Sequence, residues 1–129
     1  MRLLIDTQCW LWMSTAPSRF RPETLATLLD PDTERLLSAA SAWEIAIKYA
    51  LGKLPLPEAP AAYVPSRMRT TCTKGLVVKH RHALHVATLA VHHRDPFDRL
   101  IIAQAQVEDL QVLTADPQFE QYGVRLLAP

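Results

Sequence analysis

A three-layer α/β/α sandwich, with a central parallel sheet of about five strands between the helices, is the fold class this sequence predicts. Three observations carry it. Short apolar runs alternate along the chain with segments of helical periodicity. The runs are apolar on both faces, as buried parallel strands are. With 129 residues, 49% hydrophobic and 21% charged, the chain suits one globular domain with a single sizeable core, taken as residues 1–129.

Arg2 to Asp6 (RLLID) is an apolar run ending in an acid, the pattern of a buried strand that delivers a side chain at its carboxyl end. Pro17, Pro22 and the Pro31-Asp32 turn leave Glu23 to Leu29 as a short helix with Leu25, Leu28 and Leu29 on one face. Arg35 to Ala39 reads as the second strand. Ser41 to Leu51 has good helix formers, places Trp43, Ile47, Ala50 and Leu51 at helical spacing, and stops at Gly52. Four prolines between Pro55 and Pro65 predict a loop or a broken helical segment, followed by a helix through Met68.

Leu76 to Lys79 is the expected third strand. His82 to His92 carries an apolar face of Leu84, Ala87, Leu89 and Val91 and ends at the Arg94-Asp95-Pro96 turn. A further helix starts at Pro96 and runs to about Glu108. Gln111 to Thr114 is a strand, Pro117 to Tyr122 a short helix, and Val124 to Leu127 the last strand.

The formal charge of +1 neither favours nor excludes a nucleic-acid substrate, which would need a local basic surface. Basic residues gather in Lys79, His80, Arg81 and His82 and again in His92, His93 and Arg94, a pattern also common on solvated faces. Cys9 and Cys72 lack the spacing and partners of a zinc site and are expected as reduced structural thiols. The apolar stretch from Leu3 to Met13 is interrupted by Asp6 and Gln8 and has no small-residue cleavage site, so the chain is expected to be cytoplasmic and without membrane contact.

Four separated acids are the functional candidates: Asp6, Glu44, Asp98 and Asp116. Each has a local structural reading. Asp6 suits a helix N-cap. Glu44 completes Ser41-x-x-Glu44, a capping box, and has Lys48 at i+4. Asp95, Pro96 and Asp98 form an N-cap, N1 and N3 series, and Asp116-Pro117 repeats that arrangement beside Thr114. The functional reading rests on conjunction, because the predicted fold brings all four to the carboxyl edge of one sheet, where ligands of such sheets sit. Converging carboxylates repel unless a hard cation neutralises them, and oxygen ligands favour Mg²⁺ or Mn²⁺ over zinc. Lys48, Arg94 and Arg99 are candidates for contacts to the phosphates of a nucleic-acid substrate. Trp10, Trp12 and Trp43 suit core or dimer packing better than base stacking. A phosphoacceptor module and a catalytically silent binding module are the other classes this layout admits. The first wants two adjacent acids after the first strand, where Asp6 is followed by Thr7-Gln8.

The segments LLIDTQCWLW, SAASAWEIAIKYALGKLPLP, HHRDPFDRLIIAQA and VLTADPQFEQYGV, in this order and spacing, resemble PIN-domain proteins, and within them the VapC toxins of type II toxin–antitoxin systems. The resemblance covers nearly the whole chain. It implies a PIN-like fold and a Mg²⁺-dependent endoribonuclease in which a metal-activated water cleaves RNA, with Mn²⁺ as a substitute. The family's acidic quartet falls on Asp6, Glu44, Asp98 and Asp116, with Asp6, Asp98 and Asp116 toward the metal and Thr114 and Asp95 in support. It also implies a homodimer and a cognate antitoxin. Gln8 departs from the histidine usual after Asp-Thr in this branch, which leaves that position without an assigned role.

Overall fold

In the computed structural model, which describes residues 1–129, five strands pair in parallel. They are β1 (Arg2–Ile5), β2 (Glu34–Ser38), β3 (Thr73–Leu76), β4 (Gln111–Leu113) and β5 (Leu126–Leu127), in the spatial order β3-β2-β1-β4-β5. The helices are α1 (Thr7–Thr15), α2 (Pro22–Leu29), α3 (Ala39–Ala50), α4 (Pro60–Thr70), α5 (His80–His85) and α6 (Pro96–Glu108). Three 3₁₀ turns lie at Pro17–Arg19, Val86–Thr88 and Pro117–Tyr122. No helix is long and apolar enough to cross a membrane.

Period-two alternation divides the strands between two cores. Leu3 and Ile5 of β1, Leu37 of β2 and Leu113 of β4 face one layer, where they meet Cys9 and Trp10 of α1, Leu28 of α2, Ile45 of α3 and Tyr63 and Val64 of α4. Leu4, Leu36 and Val112 face the other, against Ile101, Ile102 and Ala105 of α6 and against Phe119 and Tyr122. Leu3, Leu4 and Ile5 are all buried, which is why the central strand reads as apolar without interruption. The sheet is therefore covered on both faces, as expected from the sequence.

Strand order reverses beside β1, with β2 on one side and β4 on the other. Ile5 pairs with Leu113, and the Asp6 N–H donates to the Leu113 carbonyl at 3.0 Å. The carboxyl ends of β1 and β4 thus lie side by side at the point where open α/β sheets form a crevice.

Four local expectations are corrected. α3 begins one strand-end earlier than expected, with the Ser38 hydroxyl accepting from the Ala40 N–H as N-cap, so Ser41 is inside the helix and the Ser41–Glu44 capping box does not form. Residues 60–70 make a continuous helix in spite of Pro65, because Pro60 occupies the first turn and Tyr63 and Val64 are anchored in the core. The hydrogen bond lost at Pro65 falls on the exposed side, where water can serve the free carbonyl.

The third strand is Thr73–Leu76 rather than Leu76–Lys79. It is an edge strand whose register against β2, Arg35 opposite Thr73 through Ser38 opposite Leu76, is set by pairing and not by its own apolar residues. Val77 leaves the sheet, exposed, and its carbonyl accepts from the buried Gln104 amide at 3.2 Å. Last, the helix expected over 82–92 ends at His85. The chain turns through Val86–Thr88 and becomes extended at Leu89, whose side chain enters the core. The freed carbonyls find a partner in Arg99, which donates from Nη1 to Ala90 and His93 at 3.0 and 3.2 Å and from Nη2 to Val86 and Leu89 at 3.3 and 3.5 Å.

Candidate active site

Asp6 sits immediately after β1 and caps α1, its Oδ1 accepting from the Cys9 N–H at 2.7 Å. Thr114, buried at the end of β4, accepts the Asp116 N–H at 3.1 Å, and its hydroxyl favours the charged form of the Asp6 carboxylate. Asp116 caps the 3₁₀ turn that follows, Oδ1 taking the Gln118 N–H at 2.9 Å. Asp95 caps α6 through Oδ1, which accepts from Phe97 and Asp98 N–H at 2.9 and 3.2 Å. The capping roles read from the sequence for Asp6, Asp95 and Asp116 are all present, and they aim these side chains at a common space.

Glu44 reaches that space differently. It is buried on α3, and its Oε1 accepts from the Thr7 hydroxyl at 2.7 Å. The same Thr7 oxygen lies 2.8 Å from Ser41 Oγ. A hydroxyl has one proton and a carboxylate none, so Ser41 donates to Thr7 and Thr7 to Glu44. Glu44 Oε2 receives Lys48 Nζ at 2.5 Å. Thr7→Val keeps the shape and deletes the donor, and is expected to lower stability by about 1–2 kcal/mol, measured by denaturant unfolding.

One cavity of about 380 Å³ is lined by Asp6, Glu44, Asp95, Asp98 and Asp116 together with Thr7, Gln8 and Lys48. The more apolar hollows elsewhere, of about 320 and 240 Å³, hold no comparable chemistry. Five carboxylates face one lysine here, and that lysine is already committed to Glu44. Burial, then the charge of Asp95, hold the Asp98 carboxyl up at about 7 in spite of the opposing influence of His93. Burial also raises Asp6, against the hydrogen bonds from Thr114 and Cys9. Lys48 is shifted upward, first by its bond to Glu44. Burial likewise pushes the Cys9 thiol up, with Asp6 adding to it, so this cysteine is an inert core group.

This surplus of negative charge, presented by oxygen donors around an open space, fits a hard divalent cation. Asp6, Asp98 and Asp116 form the uncompensated side, whereas Glu44 already has a cation in Lys48.

His93 is the residue that sequence reasoning missed. Its Nε2 lies 2.8 Å from Asp116 Oδ2 and 3.1 Å from Asp98 Oδ2. These three groups offer ligand atoms all within 4.8 Å of one another. The residue was legible only as part of a basic run, because Asp116 is 23 positions away. Of the other candidates, Lys48 is on the cavity wall and Arg94 is exposed. Arg99 is not available for phosphate: its two terminal nitrogens are spent on the four backbone carbonyls described above. Trp10 is core, while Trp43 is 60% exposed and packs edge-on against Phe97.

The PIN domain profile matches residues 3–124. Ribonuclease VapC16 of Mycobacterium tuberculosis is 59% identical over 63 residues, a match covering 49% of this chain and 45% of that protein, so it spans less than half the relative's length. Among solved structures, VapBC2 from Rickettsia felis bound to a DNA fragment from its promoter superposes with a TM-score of 0.74 at 14% identity, covering 99% of this chain and 98% of the other. VapBC-1 from nontypeable Haemophilus influenzae gives a TM-score of 0.71 at 16% identity, with coverage of 99% and 98%. At these identities the structural likeness bears on the fold alone.

Proposed function

The chain belongs to the PIN domain family, and from that premise we propose that it is a Mg²⁺-dependent endoribonuclease acting as the toxin of a type II toxin–antitoxin system. The observation that carries this reading is the convergence of Asp6, Glu44, Asp98 and Asp116, from four separate elements at the sheet edge, on one cavity with uncompensated negative charge. Asp6, Asp98 and Asp116 would hold the cation, and Mn²⁺ would serve in its place. A divalent ion bound there supplies a nucleophilic water at neutral pH and neutralises charge on the scissile phosphate.

The protein's own groups do the rest. Thr114 and the Cys9 N–H keep the Asp6 carboxylate oriented. Thr7 and Lys48 hold Glu44 from opposite oxygens, so it faces the cavity as a fixed acceptor for a water proton. Lys48 and the exposed Arg94 offer positive charge at and near the mouth for RNA phosphates. A catalytically silent module would need the caps alone, and capping does not account for Glu44, which caps nothing.

The biological setting in this reading is the cytoplasm, with residues 1–129 as one domain that forms a homodimer and is silenced by a cognate antitoxin. Apolar side chains left exposed, among them Trp43, Leu84 and Val91, support a surface that is covered by protein partners.

The test is cleavage of single-stranded RNA by the purified chain with Mg²⁺, with chelator and with the Asp6→Asn variant as controls, followed by mapping of the ends. Water as nucleophile predicts 5′-phosphate and 3′-hydroxyl termini and loss of cleavage in both controls. A 2′,3′-cyclic phosphate product, or cleavage undiminished by chelation, overturns the reading.

A further inference from the structure

We propose that His93 is a positioning residue which stands in for the cation in the metal-free protein, bridging Asp98 and Asp116, and which must give way when a divalent ion binds. This rests on the metal-dependent reading of the site given above.

The tautomer of the His93 ring is set by its backbone neighbour. The Asp95 backbone N–H points at His93 Nδ1 from 3.2 Å, and a backbone N–H can only donate. Nδ1 therefore carries the lone pair, and the ring proton is on Nε2. That Nε2–H donates to Asp116 Oδ2 at 2.8 Å and lies 3.1 Å from Asp98 Oδ2. The ring is held edge-on against the buried Phe119, with centroids 6.1 Å apart and planes at 90°, and the His93 carbonyl is tied to Arg99. Its position is thus determined from three sides, and its proton occupies the gap between two carboxylates.

Two consequences follow from that placement. With its proton on Nε2, the nitrogen facing the acids has no lone pair to offer, so His93 in this arrangement is a donor to the carboxylates and not a ligand. And a cation engaging Asp98 Oδ2 and Asp116 Oδ2 together would meet the same proton, so the two occupants exclude each other. The bridge stabilises the metal-free state only. Removing it raises the free energy of that state while leaving the loaded state unchanged, which tightens cation binding.

Mg²⁺ titrations by calorimetry on the full chain and on His93→Ala, with Mn²⁺ in parallel, test this directly. Loss of one hydrogen bond to a charged group predicts about tenfold tighter binding by His93→Ala. The metal-free variant should also melt below wild type, and the gap should close at saturating Mg²⁺. Imidazole ¹⁵N spectra of the wild type give a readout that needs no variant: the Nε2–H tautomer in the metal-free protein, and loss of its hydrogen bond on saturation. Equal or weaker binding by His93→Ala, an Nδ1–H tautomer without metal, or Nε2 shifts of a metal-coordinated ring would overturn the inference and leave the nuclease reading standing. Failure of both proteins to bind either ion would overturn the nuclease reading as well.

Discussion

Asp98→Asn is expected to lower RNA cleavage by about two to four orders of magnitude, the scale of several kcal/mol that a metal ligand contributes to a transition state. The fold should survive the change, and without metal it should be at least as stable as wild type at neutral pH. The reason is electrostatic. Burial and the neighbouring Asp95, Glu44 and Asp6 carboxylates oppose the charged form of Asp98, and an amide removes that charge at nearly constant shape.

The sign of the pH dependence follows from the same group. The Asp98 carboxyl titrates at about 7 in the folded chain against an ordinary 3.8. Between those values the native state retains a proton that the unfolded state has released, so stability declines as pH rises through the window and is recovered on acidification. Asp6, also shifted upward, adds in the same direction. Thermal melts in chelator from pH 5 to pH 8 should therefore show wild type losing stability toward pH 8, with a shallower slope for Asp98→Asn. A variant that is destabilised at neutral pH, by the roughly 0.5–2 kcal/mol of a lost helix cap, would mean that Asp98 serves α6 and not a metal.

Arg99→Ala is expected to cost about 2–4 kcal/mol, the range for losing charge-assisted bonds to partly buried carbonyls. Arg99 alone gathers the carbonyls of Val86, Leu89, Ala90 and His93, where α5 has ended and the chain must run extended to Asp95. Lysine cannot replace it, since one ammonium lacks the planar fork that reaches carbonyls on both sides. Because His93 is one of the tethered residues, its bridge between Asp98 and Asp116 should loosen too, and the folded variant should bind the cation at least as tightly as wild type. Guanidinium unfolding measures the first effect. If instead Arg99→Ala kept full stability and only reduced the salt dependence of RNA binding, the residue would be a phosphate contact after all.

The acids illustrate how far local pattern reaches. Asp6, Asp95 and Asp116 were readable as caps because the N-cap and first-turn positions, with a proline at N1 after Asp95 and Asp116, are written within three or four consecutive residues, and α6 begins at Pro96 as that pattern implies. The apolar run Leu3-Leu4-Ile5 likewise announced a central strand, since burial on both faces leaves no polar position for alternation to show. That the caps share one sheet edge followed from strand and helix order alone, through the handedness of parallel crossovers.

Glu44 was misread by the same local logic. Ser41-x-x-Glu44 has the form of a capping box, but pairing of β2 as far as Ser38 starts the helix earlier, and Glu44 then turns to Thr7, 37 residues away. His93 meets Asp116 across 23 residues, and Ser38 meets Gln104 across 66. Such contacts leave no periodicity in either partner's neighbourhood. Where β3 starts and where α5 stops were decided in the same way, by the ladder to β2 and by the Arg99 fork. Local chemistry chose which residues carry charge at the ends of elements. Packing chose which of those charges meet, because a hydrogen bond between distant segments exists only once the sheet has brought their backbones together.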